Sequence, residues 1–170
     1  MLGQLAIIVI VAVAGVASLG VVYFLGMRAK WPVVQGPIIW FSKRFINPRQ
    51  LRSAGTPGAY ASVIRSVGRK SGRIYDTPVA IIAAGYDFVI ALPYGMRANW
   101  LRNVLAAGSA TIVHEGREHA VDRPEVVPMA EVEAFFPVAD QRSFRRFRVD
   151  QCLRLRRAAA EDGVPAAVAA

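Results

Sequence analysis

The stretch "SVGRKSGRIYDTPVAI", residues 66–81, places a polar, glycine-containing segment between two apolar runs. Gly68 and Gly72 permit tight turning of the backbone, and Ser71 can cap its own turn through its hydroxyl. The pattern predicts a β-hairpin with strands at 59–67 and 75–84. Pro78 then belongs near the start of its strand or at a sheet edge, because proline cannot donate a ladder hydrogen bond.

The same turn gathers three cations, Arg69, Lys70 and Arg73, which repel one another. One interpretation is a solvated basic hairpin tip. The other is an anion site, in which successive backbone N–H groups form a nest and the side chains surround it. The turn alone does not decide between the two.

Outward from the hairpin, the remaining pattern is that of short antiparallel strands with two helical segments. "FVIALPY" (88–94) has little alternation and predicts a strand buried on both faces. "NWLRNVLAAG" (99–108) predicts a helix with Asn99 as N-cap and Gly108 after its end, and 109–123 a hairpin turning at Glu115 and Gly116. Residues 129–159 are predicted to be helical with a break near Pro137, with Phe144, Phe147, Cys152 and Leu155 on one side.

The N-terminal part has a different character. "LAIIVIVAVAGVASLGVVYFL" (5–25) carries no charge and is long enough to cross a bilayer as a helix. A cleaved signal peptide is the rival interpretation, although "MLGQ" lacks its usual basic residues. Because the cations follow the apolar run, the positive-inside rule predicts a single-pass protein of the cell membrane with its main domain facing the cytoplasm.

These features predict four regions in the 170-residue chain. Residues 1–27 form a transmembrane anchor. Residues 28–58 form an interfacial segment that is followed by a linker over 47–58. The interfacial segment is broken by its prolines, and its Trp31 and Trp40 lie in the headgroup layer. Residues 59–158 form the folded domain, and 159–170 a disordered tail.

A net charge of +9 and a pI near 10.6 predict anionic partners. Anionic lipid headgroups suit an anchored protein. Nucleic acid is not expected, because the basic residues lack interleaved aromatics on an exposed sheet.

A single cysteine, Cys152, excludes an internal disulfide, and packing is its expected role. His114 and His119 flank a turn without cysteine support and are expected to be solvated, so no metal site is predicted.

Taken in order, "GRKSG", "TPV", "ALPYG" and "NWLRNVLAAG" resemble motifs of the deazaflavin-dependent nitroreductase family. The resemblance covers about 59–123 and, more loosely, "VDQCLRLRR". It implies an α+β fold: a small split β-barrel of mostly antiparallel strands with a crossing helix and a C-terminal helix, here preceded by one transmembrane helix. It also implies binding of the 8-hydroxy-5-deazaflavin coenzyme F-420.

The resemblance further implies roles for particular residues. The family loop that receives the coenzyme's phosphate and acidic tail matches Arg69, Lys70, Ser71 and Gly72. The strand along the cofactor matches Thr77 and Pro78, and the turn facing the ring matches Leu92, Pro93, Tyr94 and Gly95. The helix motif matches Trp100, which stacks on or seals the pocket, and Asn103, which satisfies backbone groups of the loop. Tyr75 stands where many members carry arginine, and Arg73 is the candidate to supply the missing charge.

The implied activity is hydride transfer from the reduced coenzyme, with Tyr94 as candidate proton donor. The predicted anchor favours a lipophilic acceptor such as a quinone or nitro compound. Phe135 and Phe136 line either the substrate mouth or the core. A non-catalytic basic module that binds anionic lipid or sequesters a flavin-type cofactor is the alternative, supported by the arginines of 142–157. FMN, FAD and heme remain alternative ligands, and a homodimer remains open.

Overall fold

The computed structural model describes residues 2–158, which form six α-helices, short π and 3-10 turns, and one sheet. The helices are α1 Leu2–Arg28, α2 Pro32–Phe41, α3 Asn47–Gln50, α4 Asn99–Ala107, α5 Met129–Val132 and α6 Val138–Phe147. The strands are β1 Ser62–Val67, β2 Ile74–Val79, β3 Ile82–Ala84, β4 Asp87–Ala91, β5 Ser109–His114, β6 Arg117–Pro128 and β7 Gln151–Arg157.

The seven strands form one antiparallel sheet in the order β2-β1-β5-β6-β7-β4-β3. Its two edge strands, β2 and β3, are joined in the chain by only Ala80 and Ile81. Because two residues span only a few ångströms, the opposite edges must lie close together and the sheet must curl. The fold is therefore α+β with a curled, barrel-like antiparallel sheet, as predicted.

Alternation along the strands divides the apolar residues between two cores. Phe88 and Ile90 of β4 belong to a core that also contains Leu101 of α4, whereas Val89 between them belongs to a second core under α5 and α6. All three β4 residues are buried, which confirms the prediction of a strand covered on both faces. The crossing helix α4 fills the first core.

The largest correction concerns the C-terminal segment, because residues 151–157 are the strand β7 and not a helix. Helix α6 ends at Phe147, where Arg148 takes left-handed φ of 51°. In β7, Leu153 and Leu155 enter the first core, and Arg154 on the other face contacts Glu125. The alternation of apolar and polar residues with a period of two was the signal in the sequence for a strand. The predicted break at Pro137 is confirmed, since Pro137 is the N-cap of α6.

Several strand limits also differ from prediction. The first strand begins at Ser62, and the strand predicted at 75–84 is two strands with a corner at Ala80 and Ile81. The third ends at Ala91, three residues early. Pro78 does lie in the edge strand β2. The two-residue turn at Glu115 and Gly116 is confirmed, both with positive φ.

Helix α4 has the predicted C-terminal cap and lacks the predicted N-terminal one. Gly108 adopts φ of 71° and its N–H donates to the carbonyl of Val104. The N-cap residue is Ala98, without a side-chain cap, and Asn99 already lies in the helix.

The N-terminal region contains the one described helix that is long and apolar enough to cross a membrane, residues 3–28. The stretch 31–41 is not broken by its prolines: Pro32 occupies the first turn of α2, where no N–H is needed, and Pro37 lies within the helix. The linker begins with α3 and is tied to the β5–β6 turn, because Gly58 N–H donates to the Glu115 carboxylate. The tail predicted at 159–170 lies outside the described residues.

Candidate functional site

The cationic turn between β1 and β2 is closed by its own backbone. Gly68 N–H donates to the Arg73 carbonyl at 2.7 Å, and the N–H groups of Ser71 and Gly72 donate to the Gly68 carbonyl. Arg73 N–H donates to Ser71 Oγ at 3.3 Å. These four N–H groups are therefore already hydrogen-bonded within the turn and are not available to the backbone nest of the anion-site interpretation. An anion here would be held by side chains.

Two residues make the turn tight. A Cβ on Gly68 would lie 2.6 Å from both Ser71 Oγ and Tyr75 Cε2, so only glycine allows this close approach. Tyr75 in turn shares a hydrogen bond of 3.2 Å between its hydroxyl and Ser71 Oγ. The tyrosine that departs from the family pattern thus braces the turn.

Helix α4 joins the two loops that the motifs single out. Asn103, buried on α4, accepts with Oδ1 from the Arg69 backbone N–H at 3.3 Å and from Arg69 Nη1 at 2.9 Å. The neighbouring Arg102 donates from Nε to the Met96 carbonyl at 3.2 Å, in the turn that follows β4. The prediction that Asn103 satisfies the loop backbone is confirmed.

The charge of the turn is not neutralised by the described residues. Within residues 2–158, no carboxylate forms an ion pair with Arg69, Lys70 or Arg73. The first acidic residue in the chain is Asp76. It pairs with Arg65 at 2.9 Å, and Arg65 also contacts Glu118 at 3.0 Å. The turn therefore presents uncompensated positive charge.

The turn after β4 contains Leu92, Pro93, Tyr94 and Gly95. Leu92 is buried in the first core and Gly95 has φ of 62°. Burial raises the pKa of the half-buried Tyr94 phenol, and the nearby Tyr23 acts in the same direction. The phenol therefore keeps its proton throughout the neutral range.

This turn lies beside the end of α1. A Cβ on Gly95 would lie 3.8 Å from Lys30 Cδ. Arg28 Nη1 donates to the Arg146 carbonyl at 2.7 Å, and the Phe24 and Phe147 rings meet edge to face at 5.6 Å. The last turns of α1 are thus docked on α6, and Lys30, two residues beyond α1, lies beside the turn that carries Tyr94.

The other predicted site residues lie on elements around these loops. Thr77 and Pro78 are half-buried in β2, opposite Ile64 and Val63. Trp100 is half-buried and packs against the first core.

The two described clefts, of about 540 and 280 Å³, lie elsewhere and share Pro128 and Asp150. Neither contains a residue of the cationic turn or Tyr94.

The histidines and the cysteine have structural surroundings. His114 and His119 are half-buried beside Phe88 and not solvated as expected, with ring centroids 5.8 and 5.2 Å from it. Burial lowers the pKa of His119, and Arg157 adds to the effect. Burial also raises the pKa of Cys152 to about 12, which fits its expected packing role.

Phe136 is buried in the second core and Phe135 is exposed. Sequence reasoning missed the structural roles of Tyr75 and Arg102. For Tyr75 a signal existed, since it follows Ser71 by four residues across a tight turn. The sequence carried no signal for the role of Arg102, because its hydrogen-bond acceptor is a backbone carbonyl, which every residue has.

No protein-family profile and no curated protein matches the chain. Among solved structures, an F420-H2 dependent reductase (FDR-A) matches at 14% identity, over 56% of this chain and 93% of that one, with a TM-score of 0.39. An F420 reductase matches at 12% identity over 64% and 92%, with a TM-score of 0.40. A domain-swapped dimer matches at 13% identity over 70% and 98%, with a TM-score of 0.44.

Proposed function

We propose that this protein is an oxidoreductase that binds the reduced deazaflavin coenzyme F-420 and passes a hydride to a lipophilic acceptor such as a quinone or nitro compound. The observation that carries the proposal is the pair of neighbouring residues on α4. Asn103 holds Arg69 of the cationic turn, and Arg102 holds the Met96 carbonyl beyond Tyr94. Motifs separated by more than twenty residues are thereby attached to one helix.

The cationic turn suits the acidic end of such a coenzyme. Arg69, Lys70 and Arg73 have no carboxylate partner among the described residues, and guanidinium groups match phosphate and carboxylate geometry. Arg69 is already oriented by a neutral partner, Asn103, which leaves its charge uncompensated. Thr77, Pro78, Leu92, Pro93, Gly95 and Trp100 are proposed to line the remainder of the site, with Ser71 and Gly72 shaping the turn.

The coenzyme, when bound, supplies the hydride. The proposed role of the protein is to orient it and to provide a proton. Tyr94 Oη is the candidate donor, because burial raises the pKa of the phenol and keeps it protonated. We also propose that α1 is a membrane anchor, because it is long and apolar enough to cross a bilayer. The position of Tyr94 beside the end of α1 then supports an acceptor that partitions into lipid. The domain would then lie on the cytoplasmic side.

The test is a titration of the full chain in detergent with coenzyme F-420, FMN and FAD, followed by fluorescence, and then oxidation of the reduced coenzyme by a menaquinone analogue. We expect F-420 to bind most tightly and to be oxidised. Tyr94→Phe should retain binding and lose turnover. Arg117→Ala, which removes an exposed cation elsewhere, is the control. Preference for FMN or FAD, or absence of F-420 binding, would reject the proposal.

A non-catalytic module that sequesters the cofactor is the second candidate. It is supported by the cations of the turn, which have no carboxylate partner among the described residues and could hold an acidic coenzyme whether or not a hydride is transferred. This candidate predicts tight coenzyme binding with no turnover on any quinone or nitroaromatic. The same titration therefore separates the two.

A further inference from the structure

An exposed apolar surface lies between α2 and α3, where a π-turn spans Ser42–Ile46. We call it the aromatic ridge and define it as Trp40, Phe41, Phe45 and Ile46. Their exposed fractions are 64, 51, 38 and 40%. The Trp40 and Phe41 rings lie 6.1 and 5.0 Å from the Phe45 ring. The ridge is thus one contiguous cluster of rings facing outward.

The π-turn creates this cluster. The N–H of Asn47 donates to the carbonyl of Ser42, five residues earlier. In a regular α-helix, side chains three and four apart are neighbours and those five apart are not. The wider turn brings Phe45 beside Trp40, five residues earlier, in addition to Phe41, four residues earlier. Single π-turns are rare and frequently lie at functional sites, which favours a binding role for this outward-facing cluster.

The charge around the ridge has one sign. Residues 28–58 contain six cations and no acidic residue; the cations are Arg28, Lys30, Lys43, Arg44, Arg49 and Arg52. Lys43 and Arg44 lie in the π-turn itself, and the Arg44 guanidinium lies 5.4 Å from the Phe45 ring. Aromatic side chains interleaved with cations suit the anionic headgroup layer of a membrane. A second copy of the same ridge would bring like charges together.

We propose that the aromatic ridge is a second membrane contact, separate from α1, which inserts into the headgroup layer of an anionic bilayer. α2 follows α1 after three residues, and Val34 packs closely on Gly26 at the end of α1. A bilayer reached by α1 would therefore also be within reach of the ridge. On the other side, α3 contacts β2, the edge strand that carries Thr77 and Pro78. The ridge thus holds this edge close to the lipid surface. This inference does not depend on the deazaflavin proposal.

The test uses the full chain in nanodiscs made of phosphatidylcholine alone or mixed with phosphatidylglycerol, with phospholipids brominated near the headgroup end of the acyl chain. The difference in fluorescence between the unmodified chain and Trp40→Phe isolates the emission of Trp40. We expect this emission to be quenched, and more strongly with phosphatidylglycerol. Lys43→Glu with Arg44→Glu should reduce the quenching. The difference between the unmodified chain and Trp100→Phe isolates the emission of Trp100, which packs against the core, and this control emission should not respond to the brominated lipid.

The outcomes are separable. Equal quenching of Trp40 in both lipid mixtures would overturn the anionic part of the proposal. No quenching of Trp40 in nanodiscs that hold one chain would overturn the proposal as a whole, and cross-linking between two chains at Phe41→Cys would then assign the ridge to self-association. This experiment does not measure coenzyme binding, so a negative result leaves the deazaflavin proposal unaffected. A failure of coenzyme binding would likewise leave the proposed membrane contact unaffected.

Discussion

The β1–β2 hairpin carries arginines in two contrasting surroundings. Arg65, within the strand, contacts Asp76 and Glu118, and these bonds raise the pKa of its guanidinium. Four residues later, the Arg69 guanidinium donates to the neutral amide of Asn103, and within residues 2–158 no carboxylate pairs with Arg69, Lys70 or Arg73. One arginine is neutralised by its neighbours, and the other leaves its charge available.

The surroundings of Arg65 and of Arg69 have different physical consequences. An exposed ion pair contributes little stability, so the Arg65 contacts serve mainly to align strands. Arg69 is oriented by a buried side chain that cannot neutralise it. Holding a cation in place without cancelling its charge costs self-repulsion, and a bound anion would offset that cost. The comparison therefore predicts binding at the turn and none at Arg65.

The largest expected effect is on coenzyme affinity in Arg69→Ala with Lys70→Ala. Two charge-assisted contacts, each worth about 1.5 kcal/mol or more, correspond to a loss of roughly a hundredfold. Fluorescence titration of the full chain measures it. Arg65→Ala is the matched control on the same hairpin, and an equal loss there would remove the contrast between the two sites.

The next effect is on the turn itself. Gly68→Ala would place a methyl group 2.6 Å from Ser71 Oγ and from the Tyr75 ring, so we expect a loss of about 1–3 kcal/mol in the free energy of unfolding. Denaturant unfolding in detergent measures this change. In Gly72→Asn, which keeps the left-handed backbone and meets no neighbouring atom, the loss should be much smaller. Comparable losses in both variants would show that packing at Gly68 is not the cause.

Arg65→Ala should lower the free energy of unfolding by less than about 1 kcal/mol, because both of its partners are exposed. High salt should reduce the difference further. Thermal unfolding at low and high salt gives the comparison. A larger, salt-independent loss would mean that Arg65 contributes through packing and not through charge.

The smallest expected effect is that of Tyr75→Phe, which removes one partly exposed hydrogen bond to Ser71 Oγ. We expect a loss of about 0.5 kcal/mol in stability and a weak decrease in coenzyme affinity, since the ring still fills the space beside Gly68. Tyr75→Arg introduces the charge that many deazaflavin-dependent nitroreductases carry at the matching position. If that variant binds the coenzyme more tightly, the charge of the turn limits affinity more than its rigidity does.

Local pattern was sufficient for much of the fold. The apolar N-terminal helix, the β1–β2 and β5–β6 hairpins, the buried β4 and the helix α4 all follow from short-range periodicity and turn chemistry, which act within a few residues. The cations of the turn were also visible in this way, whereas the candidate roles of Trp100 and Asn103 came from the family resemblance.

Contacts between distant residues settled what local pattern left ambiguous. The Leu-Arg alternation at 153–156 is compatible with a basic helix until β4 and β6 are present on either side to pair with it. Nothing in the sequence indicated that the backbone N–H groups of the cationic turn would donate to carbonyls of the same turn and to Asn103, which is 34 residues from Arg69 in the chain. Such choices depend on which partner satisfies each buried polar group, and partners are brought together only when the chain is folded.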